Sequence, residues 1–236
     1  MYPQNPKNSA SGFSLIELLI AMAVALTIMA IASTLLSSLL RVRAREDSRG
    51  DAISDVQRGL NIMTREIANS GLALPADAAY TPPSGAATAV PRNGLLTAYS
   101  DNNSVAIVAN LDAYTDPSDG GRNITQEDEA IRFSLYLDAA QNRRFLVRQD
   151  LNTSDVLVLA NRIDDVRFRY INRNPANGNI VTNAVPSADT IGITISVTVT
   201  LDAVGTPRSP GYQPPFQTQI DSEVLMRNAI SIRQRY

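Results

Sequence analysis

Residues 13–40 carry no proline and no charge except Glu17: FSLIELLIAMAVALTIMAIASTLLSSLL. Ala, Leu, Ile and Met dominate the run, and all but Ile rank high as helix formers. As a helix at ~1.5 Å per residue it would be about 42 Å long, against a hydrocarbon thickness of about 30 Å. The pattern therefore predicts a helix that can span a membrane. Beyond a short basic patch the apolar positions continue at a new spacing. Ile53, Val56, Leu60, Met63 and Ile67 recur three and four residues apart, which marks one face of an amphipathic helix. Ser70-Gly71 offers a C-terminal stop, with Pro75 shortly after it. A continuous helix from about Ser14 to Ser70 would be about 85 Å long. Gly50 and Gly59 weaken it locally, and Gly50 is a place for a bend. The stripe from Ile53 to Ile67 is expected to pack on the chain's own sheet.

Past Gly71 the period changes from helical to alternating. Strands are predicted at 105–109, 130–137, 145–149, 156–159, 166–170, 191–201 and 223–230. Ile191, Ile193, Ile195, Val197, Val199 and Leu201 alternate with Gly192 and a Thr/Ser series, the signature of a half-buried strand. Asp138 to Asn142 reads as a hairpin connection. Four Pro-, Gly-, Asn- and Ser-rich segments, 75–93, 112–128, 172–188 and 203–219, read as loops where partner contacts tend to reside. The fold class that follows is α+β: a long N-terminal helix, transmembrane then amphipathic, packed on a domain with one antiparallel sheet.

Composition narrows the chemistry. Once an N-terminal membrane segment is set aside, roughly 165 residues remain, enough for one domain with a core. The chain has no Cys and no His. Cysteine nucleophiles, Ser-His-Asp triads, disulfides and zinc sites built on Cys or His are therefore excluded. No close carboxylate constellation replaces them, so no catalytic residue, cofactor or small-molecule substrate is expected, and the chain reads as a non-enzyme. Asp112, Asp116, Asp119 and Asp128, near Gly120-Gly121, could offer oxygen ligands to calcium, but their spacing is not that of an EF-hand loop, and no metal is assigned. The net charge of −2 gives no general attraction to nucleic acid. A DNA-binding role would need a local cluster among the 20 Arg, and nucleic acid is not expected as a partner.

Glu17 is then the anomaly. A carboxylate inside hydrocarbon costs a few kcal/mol or changes protonation state, and usually has a partner. No Lys or Arg lies within a turn or two of it on the helix. A secretory signal peptide does not fit, because its apolar core would be only about 7–15 residues long. A plain signal anchor accounts for the length but not for Glu17. The motif Gly12-Phe13-Ser14-Leu15-Ile16-Glu17 resembles the cleavage and methylation motif of type IV prepilins. That resemblance implies a leader, residues 1–12, removed after Gly12 by a prepilin peptidase that also methylates the new N-terminal amine on Phe13. It implies that Glu17 pairs with the N-terminal amine of a neighbouring subunit and so registers subunits during assembly. It also implies the type IV pilin fold: residues 13–40 as the transmembrane and filament-core half of the helix, 41–71 as its amphipathic half, and 72–236 as the β-sheet domain. The leader holds only Lys7, whereas Arg41, Arg43, Arg45 and Arg49 follow the apolar run. The positive-inside rule alone would favour the opposite orientation to the one the resemblance implies, with the leader cytoplasmic.

Further patterns narrow the resemblance. Asp55-Val56-Gln57-Arg58-Gly59-Leu60, followed by Met63 to Gly71, is similar to the helix end of PilW-type minor pilins and of the GspJ pseudopilins of type II secretion. Ile163 to Tyr170 resembles the start of their mid-domain strand, and Val224 to Asn228 their closing strand. The implied function is that of a PilW-like minor pilin, a structural subunit that helps initiate pilus assembly and sits at the tip. The alternative is a GspJ-like pseudopilin; further alternatives are a membrane-anchored extracytoplasmic enzyme and a DNA-binding competence pilin. Implied partners are the prepilin peptidase and methyltransferase, other minor pilins, the major pilin, and a tip adhesin. The implied location is the bacterial inner membrane, single-pass with the domain extracytoplasmic, and then the pilus or pseudopilus at the cell surface.

Overall fold

The computed structural model describes residues 14–75, 78–83, 86–110, 124, 126–140, 143–201, 203–209 and 212–231. Helix α1 runs without interruption over Leu15–Ala68, 54 residues. Helical hydrogen bonding continues through Gly50, around which nothing lies within 4 Å. Good helix formers on both sides outweigh one glycine's cost of ~1 kcal/mol. The chain divides into two units, Met1–Asp47 with Ala203–Pro214, and Ser48–Asp202 with Pro215–Tyr236; α1 contributes to both.

The second unit holds the core. Its strands are β1 (Ala79–Tyr80), β2 (Thr88–Ala89), β3 (Ser104–Val108), β4 (Ala130–Asp138), β5 (Arg143–Asp150), β6 (Val156–Asn161), β7 (Asp165–Arg173), β8 (Ile180–Asn183), β9 (Thr190–Leu201) and β10 (Phe216–Leu225), followed by a short helix α2 (Arg227–Ser231). They form two four-stranded sheets, β3-β4-β5-β6 and β10-β9-β7-β8, and a small β1-β2 ribbon, all antiparallel. The single sheet expected from the alternation is thus two. The break falls between β6 and β7, where Arg162 takes a positive φ of 58° and the next strand pairs with β9 instead.

The end of the chain also departs from the pattern. A loop was expected over 203–219 and a strand over 223–230. The strand is instead Phe216–Leu225, and Arg227 onward is helix. β10 is an edge strand, mostly polar, that pairs residue for residue with β9 from Phe216↔Leu201 to Leu225↔Gly192. An exposed edge has no apolar face to advertise, so alternation hides it. β8, inside the expected 172–188 loop, is hidden for the same reason: all four of its residues are exposed. The expected hairpin connection does join two paired neighbours, β4 and β5, up to Asp138↔Arg143, with Gln141 and Asn142 outside the described residues.

One core cluster joins α1 to both sheets. Val56, Leu60, Met63 and Ile67 meet Ile107, Phe133 and Leu146 of one sheet and Phe168, Ile193 and Ile195 of the other. A second cluster, built on Tyr80, Leu96, Ala106 and Val108, lies on the other face of β3. All five residues of β3 are therefore buried. Tyr170 ties the two sheets: its hydroxyl sits 2.7 Å from the Asp101 carbonyl and 3.0 Å from that of Ser104, and burial pushes its pKa well above the usual phenol value.

The end of α1 is fastened from several sides. Asn69 and Ser70 N–H donate to the carbonyls of Glu66 and Ile67, tightening the last turn. Gly71 then turns out with φ 72°, and its N–H donates to the Val108 carbonyl at 2.8 Å. Gly94, φ 73°, sits against it, and its carbonyl accepts from Val108 N–H at 2.7 Å. The Ser70 hydroxyl donates to the Asn93 carbonyl at 2.8 Å, and the Asn228 amide donates to the Ser70 carbonyl at 2.7 Å. A Cβ on Gly94 would fall on the Gly71 amide nitrogen, and one on Gly71 would fall on the Arg92 carbonyl. Gly71→Ala and Gly94→Ala are each expected to cost roughly 3 kcal/mol, lowering the thermal midpoint of the detergent-solubilised chain by about 6–12 °C. Gly50→Ala, in an open helix interior, is expected to hold or slightly raise it. A circular-dichroism melt of the three variants checks both.

Candidate functional site on the N-terminal helix

Helix α1 opens at Ser14, whose carbonyl accepts from the N–H groups of Glu17 at 3.0 Å and Leu18 at 3.1 Å. Glu17 lies in the first turn, where the positive end of the helix dipole favours a carboxylate. It is exposed and, among the described residues, makes no ion pair. The nearest basic residue along the helix is Arg41, about 36 Å further on. Gly12 and Phe13 lie outside the described residues.

Around Glu17 the apolar residues from Leu15 to Leu40 are all exposed, with Leu15 80% and Met29 68% accessible. The segment is long and apolar enough to cross a membrane. Three of its five hydroxyls bond back to the helix. Thr27 donates to the Ala23 carbonyl at 2.8 Å, Thr34 to Ile31 at 2.8 Å, and Ser37 to Ser33 at 2.9 Å. Back-bonding of this kind satisfies a hydroxyl in an apolar medium. Glu17 is thus the one ionisable group on a surface otherwise made ready to leave water.

The other half of α1 turns its stripe inward. Val56, Leu60, Met63 and Ile67 are buried, and Ile53 is only half-buried and outside the core cluster. Ala52 and Ile62 pack at its margin instead. Gly59, one residue off the spacing of the stripe, is also buried, and a Cβ there would approach Leu146 Cδ2 to 3.2 Å and Leu159 Cβ to 3.5 Å. A small residue lets the helix backbone come close to β5 and β6. The sequence signal was present: a glycine beside an apolar stripe, easily read as a mere weakness.

One cluster of charged residues is structural. Arg148, largely buried, bridges α1 to the β4 approach: its Nε is 3.0 Å from Glu66 Oε2 and its Nη2 is 2.7 Å from Asp128 Oδ1. Burial lowers the Arg148 pKa, but hydrogen bonds to Asp128 and Glu66 outweigh it, and the net shift is upward. These residues line a small pocket of about 170 Å³ with Asn69 and Glu129. Asp150 beside it accepts from the N–H groups of Asp128, Asn152 and Thr153 at 2.6–3.0 Å. Among the described residues no three acidic groups could hold a metal ion. Asp112, Asp116 and Asp119, weighed as calcium ligands, lie outside the described residues with Gly120 and Gly121, and Asp128 is bound by Arg148.

Comparison with known proteins places the motif. Residues 7–36 match the prokaryotic N-terminal methylation motif. No curated protein matches the chain. Among solved structures, a type IV-like pilin, TTHA1219 from Thermus thermophilus, aligns at 11% identity over 75% of this chain and 97% of that one, with a TM-score of 0.36. That likeness is too low to carry residue roles across. The chain is similar to type IV pilin-like proteins through its N-terminal motif, borne on a long apolar helix that packs on a domain of antiparallel sheets.

Every buried core residue of α1 lies at or after Val56. A chain beginning at Ser48 is therefore expected to stay soluble without detergent and to melt within about 5 °C of the full chain, a difference of ~2 kcal/mol at most. The full chain should require detergent. Size-exclusion chromatography and thermal melts of both check this.

Proposed function

We propose that this protein is a minor pilin of the PilW type, a structural subunit of a type IV pilus that helps initiate assembly and sits at or near the filament tip. The observation that carries the reading is Glu17: an exposed carboxylate in the first turn of an apolar helix, five residues after Gly12, inside the matched methylation motif. Such a charge needs a cation from another molecule, and the amine released by cleavage after Gly12 supplies one. On this reading Phe13 becomes the methylated N-terminus after processing by the prepilin peptidase and methyltransferase. Glu17 registers each subunit against the amine of its neighbour, and the apolar face of residues 15–40 bundles with other minor pilins and the major pilin. Small residues from Ala21 to Ala32 permit close helix approach. Before assembly the chain sits in the inner membrane with residues 72–236 extracytoplasmic. The role is assembly, not chemistry.

The helix-end pattern from Asp55 to Gly71 equally favours a GspJ-like pseudopilin of type II secretion. Both readings share the same processing and the same use of Glu17; they differ in the filament served. Deleting the gene and scoring pili against secreted protein separates them.

Mass spectrometry of the mature N-terminus is the direct test. The expected chain starts at N-methylated Phe13; a chain still starting at Met1 in a cell with active prepilin peptidase overturns the reading. Glu17→Ala should be cleaved normally but enter filaments at least about tenfold less, since 1.4 kcal/mol is a factor of ten and an unpartnered intramembrane charge costs more. Wild-type incorporation of that variant would remove the registration role.

A further inference from the structure

The first unit contains a second feature besides the apolar helix. Residues 203–209 and 212–214, between β9 and β10, lie against α1 where its apolar run ends. The Nη1 of Arg41 donates to the Ser209 hydroxyl at 3.2 Å, and a Cβ built on Gly205 would meet the same guanidinium nitrogen at 3.6 Å. Among α1 residues 15–47 only Ser38, Arg41 and Arg45 are partly shielded, spaced three and four apart on one helix face. The loop is built, not slack. Val204 and Gln213 exchange two hydrogen bonds of 3.0 Å, Ser209 N–H donates to the Thr206 carbonyl at 3.0 Å, and Tyr212 N–H donates to the Ser209 carbonyl at 3.0 Å. At its tip Arg208 is held at φ 72°, a left-handed conformation that an ordinary side chain adopts at a cost, and its side chain is exposed.

We infer that this loop, with Arg41 and Arg45 of α1, is a docking surface for anionic phospholipid headgroups. The inference rests on the proposed membrane insertion of residues 13–40. The apolar run is about 42 Å long against about 30 Å of hydrocarbon, so its end at Leu40 reaches the headgroup layer, where Arg41 follows and its contact with Ser209 holds the loop. The chemistry fits that layer. Residues 203–214 contain no acidic residue, and with residues 41–47 they present four Arg against only Glu46 and Asp47, in a chain whose net charge is −2. Arg43, 4.0 Å from Asp47 with both side chains exposed, and Arg208 face outward, while Arg45 is partly shielded beside them. Arg binds phosphate oxygens in a planar, two-point fashion. Tyr212, half-buried, adds an aromatic ring of the kind that settles at membrane interfaces. Basic groups beside a spanning helix are drawn to anionic lipid within a Debye length of the surface.

The chain's lack of cysteine allows a clean test. Thr206→Cys in the full-length protein would carry a nitroxide, with Asn177→Cys in an exposed turn as the reference. Both would be reconstituted into phosphatidylcholine vesicles with and without phosphatidylglycerol. Flotation after an alkaline wash comes first: a chain that fails to float overturns the spanning reading and the inference with it. For a chain that floats, the ratio of oxygen to nickel-chelate collisions reports depth. The expected ratio at residue 206 exceeds that at 177 at least about twofold, rises with phosphatidylglycerol, and falls as salt screens the surface. Arg208→Asn should return it toward the reference while leaving the thermal melt unchanged, because Asn tolerates the left-handed backbone. A floating chain whose residue 206 is as water-exposed as residue 177 overturns the inference alone. Protection that tracks protein density and ignores phosphatidylglycerol assigns the surface to a second copy of the chain and equally overturns it.

Discussion

The rest of the structure depends on one constraint: the first half of α1 cannot remain in water, and among the described residues nothing covers its apolar face. More than a dozen Leu, Ile, Met and Val side chains between Leu15 and Val42 are exposed. Burying each is worth about 1.5–3 kcal/mol, so together they represent tens of kcal/mol. A domain of this size is stable by only about 5–15 kcal/mol. No rearrangement of the domain could accommodate such a surface and keep its present core. The cover must come from outside: on the proposed function, first lipid and then the helices of other subunits. Glu17 takes its meaning from the same constraint, because a carboxylate is costly only where water is lost.

The second half of the helix has the reverse task, and its end is where the fold commits most. Ser70, Gly71 and Gly94 lock the helix terminus to β3, and β3 is buried on both faces by two separate clusters. The loop at Asn93–Leu95 seals its free edge, through the Leu95↔Ile107 bridge and the bond from Val108 to Gly94. An edge strand treated in this way cannot pair with a neighbour. The other edges are open: β6 exposes Val156, Leu157 and Val158, and β8 exposes Ile180 and Val181. The domain thus closes the edge of β3, where the helix end is fastened, and leaves apolar side chains exposed on β6 and β8.

Much of this was legible from residue order, and the misses have physical causes. The long helix, its stop at Ser70-Gly71 and the two-residue alternation of β4, β7 and β9 follow from side chains whose burial is periodic. The stripe is a fair example: Val56, Leu60, Met63 and Ile67 are buried because the spacing puts them on one face, whereas Ile53 sits a turn before the sheets begin to cover that face. β8 and β10 were hidden because edge strands in water need no apolar pattern. The division into two sheets was hidden too, since inward-facing residues alternate identically whichever sheet they join. Of the candidate site, Glu17 stood out by chemistry alone, as a charge where none belongs. The contact of Arg41 with Ser209 spans more than 160 positions and involves no pattern at all.

The two features of the first unit differ in how firmly they hold, and that difference suits the proposed function, in which a subunit leaves the bilayer for a filament. Apolar side chains exchange lipid for neighbouring helices at little net cost, since lipid tails are as apolar as leucine. A carboxylate–amine pair within that medium gains from the low dielectric and fixes position along the axis. Contacts between exposed Arg and headgroup phosphates are weak one by one and screened by salt. A subunit tethered to the bilayer by a further apolar wedge at the 203–214 loop would need that wedge covered again after extraction, which the polar and proline-rich loop avoids. An electrostatic hold at Arg208 and the Arg residues after Leu40 keeps the loop at the headgroups while the helix is in lipid and leaves only solvated charges behind when it departs.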